Sequence, residues 1–244
     1  RVVMEHTGRY YEALAHQLSA ADLFVSAVNP KLVKDFNNDS LRKIKSDKAD
    51  SVKIARYALD KWQSLEPYSS TDELRAQLKV MNRQFHFYVK QKTAMKNNLI
   101  GLIDQTYPNA NTYFNSPTRS DGSQKWVDFV STYWHVDCIR KMSLNAFVEH
   151  YQNWCKRKKY AFNKSKAEEI YTKTKELVPV FPKNEITKHI IRQAIDQLNS
   201  TSVTVETIRT LMNETASKLP EYSIVMQFKG IGPSLGPQLM AEIG

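Results

Sequence analysis

Turn-forming residues are scarce in this sequence, which has only 7 glycines and 9 prolines among 244 residues. So few of them argue against a loop-rich or all-β architecture and favour a helical one. Long apolar runs are lacking as well, so we expect no membrane-spanning helix and no membrane partner. Nothing in the sequence resembles a signal peptide.

Cysteine is equally rare, and Cys138 and Cys155 are the only two. They form no CxxC pair, and neither has His or Cys neighbours at zinc-ligand spacing. We therefore interpret both as buried structural thiols, and we expect a reducing cytoplasm as the compartment.

Positive charge is in excess, since 35 Lys and Arg stand against 25 Asp and Glu, for a net charge of +10. The excess favours a polyanionic partner, because each phosphate that a Lys or Arg neutralises releases counterions. The densest basic run is Lys156-Arg157-Lys158-Lys159. Such a run is either a solvated helix face or a nucleic-acid contact.

The first 30 residues have the pattern of a βαβ unit, which normally lies in a mainly parallel sheet. Residues 2–5 are predicted to form a buried strand that ends in Glu5. A helix follows, and residues 24–28 form a second strand that Asn29-Pro30 stops. No third strand is predicted beyond it, so we expect further strands from upstream of Arg1 or from another chain.

The next predicted helix starts at Ser46 and places Asp47 and Asp50 one turn apart on one face. An adjoining apolar stripe predicts that this helix is packed on two sides. The stripe consists of Val52, Ala55, Leu59 and Trp62.

A long helix is predicted over residues 70–107, with Ser70 and Glu73 as a capping pair. Apolar residues recur along it in four- and three-residue steps, broken only by Lys92. This heptad seam indicates either a coiled coil between chains or a helix packed on its own domain. The seam residues are Leu74, Leu78, Met81, Phe85, Tyr88, Met95, Leu99 and Leu102.

Residues 108–125 are predicted to be a boundary loop, and helices follow it. The predicted helices cover residues 126–136, 143–159, 164–178, 184–198 and 203–218. Near the C-terminus, Lys229-Gly230-Ile231-Gly232 separates two short apolar helices, as in a helix-hairpin-helix. Its turn exposes N–H groups that suit a phosphate, although a Gly-x-Gly turn between core helices can also be purely structural.

Three carboxylates are candidate metal ligands: Glu5 at a strand end, and Asp47 with Asp50 on one helix face. Mg²⁺ (or Mn²⁺) takes oxygen ligands, usually one or two carboxylates with water and substrate phosphates. A pair of such ions can activate an attacking oxygen and stabilise the leaving one. The alternative is ordinary surface charge, because acids three residues apart are common on helices.

The residues around these acids resemble the DEDD transposases of bacterial insertion sequences. The similarity lies in Glu5-His6-Thr7-Gly8, in Asn29-Pro30, and in the segment from Lys45 to Asp50. The family usually has alanine at His6, threonine at Ser46 and alanine at Ser51, and none of these departures removes a carboxylate. Residues 224–244 resemble the start of the family's second conserved domain, with Gly236-Pro237 where alanine is more usual.

The resemblance implies an α/β part joined to a mostly α part. Residues 1–69 would be a partial RNase H-type, RuvC-like catalytic domain, and residues 70–107 a long coiled-coil helix. Residues 108–218 would be a helical region, and residues 219–244 the start of the C-terminal transposase domain. Glu5, Asp47 and Asp50 match the last three acids of a metal-binding tetrad. The first acid and a nucleophilic serine are expected outside residues 1–244, and Ser234 is no substitute.

The implied activity is metal-dependent DNA cleavage and strand transfer during insertion-sequence transposition, in the bacterial cytoplasm. The implied partners are DNA, a structured guide RNA and further copies of the chain, joined through the coiled coil. We expect this piece to bind more than it cuts. Two other hypotheses stay open: a non-catalytic nucleic-acid-binding module or decayed element remnant, and a helical protein that oligomerises through its seam.

Overall fold

The computed structural model describes residues 1–8, 10–36, 46–68 and 73–243. The chain divides into two compact units, Arg1–Asp72 and Glu73–Gly244. The first unit contains a small parallel sheet, and the second contains helices and loops. Within the described residues, no helix combines the length and the apolar character needed to cross a membrane.

The first unit begins with the predicted strand-helix-strand arrangement. Strands β1 (Val2–Glu5) and β2 (Val25–Val28) pair in parallel, and helix α1 (Tyr10–Ala20) connects them. Val2 lies opposite Val25 and Glu5 lies opposite Val28. A connection of this kind is required because parallel neighbours cannot be joined by a tight turn. Both strand predictions are confirmed.

The described part of this unit also contains two further helices, α2 (Pro30–Asp35) and α3 (Asp47–Asp60). The Asn29 side chain accepts a hydrogen bond from the Lys31 N–H at 2.9 Å, and Pro30 is the first helical residue. The residues predicted to stop a strand therefore also start a helix, for which both are well suited. Lys45, the first residue of the segment that resembles the transposases, lies outside the described part of the chain.

The apolar stripe on α3 and just beyond it is exposed. Val52 is 44% exposed, Leu59 74% and Trp62 44%. Ala58 is buried and Ile54 is half-buried, and α3 contacts β1. The prediction that α3 is packed on two sides is wrong for this structure, because the pattern identifies an apolar face but not the element that would cover it.

The second unit is built on two long helices, α4 (Glu73–Asp104) and α9 (Glu185–Ala216), each of 32 residues. They run antiparallel: Leu78 packs in one cluster with Met212, and Leu99 packs in another with Ile191. Leu78, Phe85 and Leu99 of the predicted seam are buried. A helix of the same chain thus covers this seam. Ser70 of the predicted capping pair lies outside the described residues.

Helix α9 is continuous through residues 199–202, where the sequence predicts a break between two helices. Thr201 and Ser202 are buried there, and the Thr201 hydroxyl donates to the Met95 sulfur of α4 at 3.1 Å. Asn, Ser and Thr have low helix propensity, but packing against a neighbouring helix outweighs differences of a few tenths of a kcal/mol per residue. The predicted break is therefore wrong.

Four shorter helices lie between the long ones: α5 (Lys125–Thr132), α6 (Asp137–Arg140), α7 (Leu144–Arg157) and α8 (Lys164–Glu176). With the C-terminal end of α4 and the N-terminal half of α9 they enclose an aromatic core around the fully buried Phe129 and Trp154. The loop that precedes α5 contributes Tyr113 and Phe114 to this core. Cys155 is buried in it as a free thiol. We call this the aromatic cluster.

A second core lies at the opposite end of the α4–α9 pair. It contains Leu78 and Phe85 of α4 together with residues of the last two helices, α10 (Tyr222–Val225) and α11 (Leu235–Ile243). Met240 and Ala241 of α11 are buried in it. We call this the terminal cluster.

Candidate metal and nucleic-acid sites

Glu5 is the last residue of β1 and is half-buried. The next residue, His6, continues the pairing, since its N–H donates to the Val28 carbonyl at 3.0 Å. The Thr7 hydroxyl lies 3.5 Å from Glu5 Oε2 and donates to it. Glu5 is thus fixed at the carboxyl end of a parallel strand, the edge at which open α/β sheets place their sites.

Asp47 and Asp50 occupy the first turn of α3, and both are exposed. Ser46 fixes the start of this turn, because its Oγ accepts from the Ala49 N–H at 3.3 Å. Two carboxylates in a first turn also interact favourably with the positive end of the helix dipole. Their position is therefore compatible with a structural role as well as with metal binding.

The three acids come from two elements in contact, since α3 packs against β1. Throughout the described ranges, however, no three His, Cys, Asp or Glu side chains are grouped as ligands of one metal ion. The oxygen-only donor set of Glu5, Asp47 and Asp50 matches the chemistry of Mg²⁺. The metal-binding role of these three residues stays a prediction.

The basic run at the end of α7 contains residues with different surroundings. Lys156 and Arg157 lie in the last helical turn and are exposed. Lys158 is half-buried, and its Nζ pairs with Asp128 Oδ1 at 2.8 Å. Lys159 is exposed and has a positive φ of 54°, so it turns the chain away from the helix. Lys156, Arg157 and Lys159 therefore present their charge to solvent.

Further cations that the sequence did not single out lie beside this run. The Arg119 Nη2 donates to the carbonyls of Lys158 and Lys159, at 2.8 and 3.1 Å. Its guanidinium lies 3.9 Å from the centroid of the Tyr160 ring, over which Lys125 Nζ also lies at 5.0 Å. No sequence spacing indicates this, because Arg119 and Tyr160 are brought together only by the fold.

The Gly-x-Gly segment forms a turn between α10 and α11. Gly230 has a φ of 90°, a conformation that favours glycine, and Lys229 beside it is exposed. The Gly232 carbonyl accepts from the N–H groups of Leu235 and Gly236, at 3.0 and 2.9 Å, and so begins α11. Helix α10 is a single turn of four residues.

Gly236 packs closely against the Met226 side chain, which would have to shift if residue 236 carried a Cβ. A Cβ at this position would lie 2.8 Å from the Met226 sulfur. Pro237 lies in the first turn of α11, where its missing N–H costs little. The glycine and proline that depart from the usual pattern of the family are therefore accommodated without disturbing the turn.

Comparison with known proteins supports a general class, transposase or recombinase. Residues 1–108 match the model of a family described as a transposase. This matched region contains Glu5, Asp47 and Asp50 together with the sheet and α3.

Two similar proteins are the pilin gene-inverting proteins of Moraxella lacunata and Moraxella bovis. Each is 27% identical to this chain over 122 residues, or 49% of the chain. The matched part covers 38% of the length of each relative.

Proposed function

We propose that this chain is part of a DEDD transposase that catalyses metal-dependent DNA cleavage and strand transfer during transposition of an insertion sequence. The observation that carries the proposal is the transposase match over residues 1–108, which contains all three candidate acids. The strand-end position of Glu5 and the first-turn position of Asp47 and Asp50 on a contacting helix support it. The RuvC-like fold of the catalytic domain is part of this proposal.

Glu5, Asp47 and Asp50 would hold Mg²⁺ or Mn²⁺, which supplies Lewis-acid activation of an attacking oxygen when bound. The residues around the acids fix their positions. Ser46 sets the first turn of α3, and the β1–β2 pairing sets the end of β1 at Glu5. The all-oxygen donor set is the one that these hard cations prefer.

Titration calorimetry with Mg²⁺ tests the metal site. The intact chain should bind Mg²⁺ weakly, and Asp47→Asn or Asp50→Asn should weaken the affinity at least about tenfold, because loss of a partner that only orients a ligand already costs that much. Asp60→Asn is the matched control, since Asp60 is an exposed acid at the other end of α3, and it should leave the affinity unchanged. Equal affinity in all four proteins would reject the site.

We propose that DNA and a structured guide RNA contact the basic run Lys156, Arg157, Lys158 and Lys159. The turn residues Lys229, Gly230 and Gly232 are the second proposed contact. Three exposed cations in the run and an exposed turn at the start of α11 support these assignments. Binding to DNA and RNA oligonucleotides should weaken steeply with salt, and no binding at low salt would reject the assignments.

We also propose that copies of the chain associate along α4. Because α9 covers the buried seam residues, an association between chains would use exposed side chains of α4 such as Phe87, which is 51% exposed. Light scattering measures the oligomeric state, and a monomer at all concentrations would exclude this association.

A further inference from the structure

Three cations surround one group of aromatic rings beside the end of α7. Arg119 and Lys125 both lie over the ring of Tyr160, and Lys125 Nζ lies 4.9 Å from the centroid of the Phe114 ring. Lys166 Nζ lies 6.0 Å from the ring of Tyr113, whose centroid is 6.5 Å from that of Phe114. Lys166 and Arg119 both act electrostatically on Lys125, so the three positive charges lie within range of one another.

Two of the acids near this group, Asp128 and Glu169, are already engaged, and a third, the exposed Asp121, interacts with Arg119. Asp128 accepts from Lys158 Nζ at 2.8 Å and from the Tyr160 hydroxyl at 2.7 Å. Glu169 pairs with Lys166 at 2.9 Å and with Lys173 at 2.8 Å. In the described part of the chain, Lys125 has no carboxylate within 4.0 Å of its Nζ, although it is half-buried.

Lys125 therefore carries its charge at a cost to the folded chain. Burial lowers its pKa from the ordinary value, and the neighbouring cations Lys166 and Arg119 lower it further. The Cys155 thiol opposes them in part. Lys125 therefore has two aromatic rings but no carboxylate as partners in the described part of the chain, so its charge is not neutralised there. An anion bound between these cations would remove the repulsion.

We propose that Arg119, Lys125 and Lys166 form a binding site for a backbone phosphate of a nucleic-acid strand. The site adjoins the exposed cations Lys156, Arg157 and Lys159, because Arg119 binds the carbonyls of Lys158 and Lys159. A line of further cations suits a chain of phosphates better than one free anion. The inference rests on the proposed nucleic-acid binding and names the three residues that would hold a phosphate of the strand.

Fluorescence anisotropy with labelled single-stranded and duplex oligonucleotides tests the site in the intact chain. Lys125→Gln should weaken binding to all sequences and lower the slope of log affinity against log salt by about 0.7 to 0.9. Lys183→Gln is the matched control, since Lys183 is exposed and follows the opposite end of α8 from Lys166. The control should change neither quantity.

Thermal unfolding separates binding from folding. Lys125→Gln should unfold at about the same temperature as the wild-type chain, because loss of the contacts with the Phe114 and Tyr160 rings and loss of a half-buried repelled charge oppose each other. A clear fall of the midpoint, with binding equal to that of the Lys183→Gln control, would show that Lys125 has a structural role only.

Acetylation of the wild-type chain gives a measurement that needs no variant. An oligonucleotide should protect Lys125 from acetylation and leave Lys183 unprotected, as mass spectrometry reports for each lysine. Equal labelling of Lys125 with and without a bound oligonucleotide would overturn the site but leave nucleic-acid binding elsewhere intact. Absence of any oligonucleotide binding at about 50 mM salt would overturn both the site and the proposed binding. Equal protection by inorganic phosphate alone would assign the site to a free anion.

Discussion

Lys92 is a charged residue in an apolar series, half-buried between α4 and α9. Burial lowers its pKa most, Glu206 of α9 raises it, and Arg209 and Lys96 lower it again. Glu206 cannot fully neutralise Lys92, because it also pairs with Arg209 at 2.5 Å. The charged form of Lys92 is therefore a local cost within the helix pair.

We expect Lys92→Met to raise the free energy of unfolding by up to about 1 kcal/mol. The charge of Lys92 destabilises the folded chain fully at pH values well below its folded pKa. This destabilisation disappears as the pH rises through that pKa towards 10.5, so the stabilisation by Lys92→Met should shrink at alkaline pH. Urea unfolding of the variant measures it. Lys90→Met, at an exposed position of α4, is the control. A variant less stable than the wild-type chain would contradict the interpretation.

At the residue scale, the sequence allowed prediction of side chains that lie close together along the chain. Asp47 and Asp50 lie in one helical turn, as their spacing predicted. The group of Arg119, Lys125 and Lys166 could not be predicted, since it depends on a loop and two helices meeting around aromatic rings. Nor could the sequence distinguish Lys158, which pairs with Asp128, from its exposed neighbours in the basic run.

At the element scale, the positions of β1, β2, α3 and α4 followed from short apolar runs, helical spacing and heptad spacing, although α4 ends at Asp104 rather than at residue 107. Helix α9 did not, because the weak helix formers at residues 199–202 resemble a loop when tertiary contacts are ignored. Its continuity results from burial of Thr201 and Ser202 beside α4. The prediction that α3 is packed on two sides was wrong for the opposite reason. The sequence shows an apolar stripe, but no described element covers it.

The continuity of α9 can be tested at Ser200, which is exposed in its middle. Ser200→Pro should lower the free energy of unfolding by about 3 kcal/mol or more, because proline removes a helical hydrogen bond and clashes with the preceding turn. Ser200→Ala is the control and should be neutral or slightly stabilising. If proline were tolerated as well as alanine in urea unfolding, residues 199–202 would be a loop in solution.

At the scale of the whole molecule, the two units have unequal cores. In the described residues of Arg1–Asp72, the buried apolar side chains are small: Ala15, Val25, Val28, Val33 and Ala58. The second unit encloses two clusters that include Phe85, Phe129 and Trp154. Burial of apolar area is the dominant stabilising contribution, so the first unit has much less of it.

We expect the first unit to open at a lower denaturant concentration than the second. Hydrogen exchange followed by mass spectrometry at increasing urea should show peptides of β1 and β2 losing protection before peptides of α4 and α9. Phe129→Ala, which removes a fully buried ring, should lower the protection of the second unit by about 3 to 5 kcal/mol. Loss of protection at one urea concentration for all peptides would indicate a single cooperative unit.

The antiparallel pair of α4 and α9 also sets the distance between the aromatic cluster and the terminal cluster. Leu99 belongs to the aromatic cluster, beside the basic run, and Leu78 belongs to the terminal cluster, beside the glycine turn. They are 21 positions apart, which corresponds to about 31 Å of helix, or roughly nine base pairs of duplex. A shorter duplex would therefore reach only one of the two proposed contacts at a time. A longer one would reach both, and each contact would then raise the local concentration of the strand at the other.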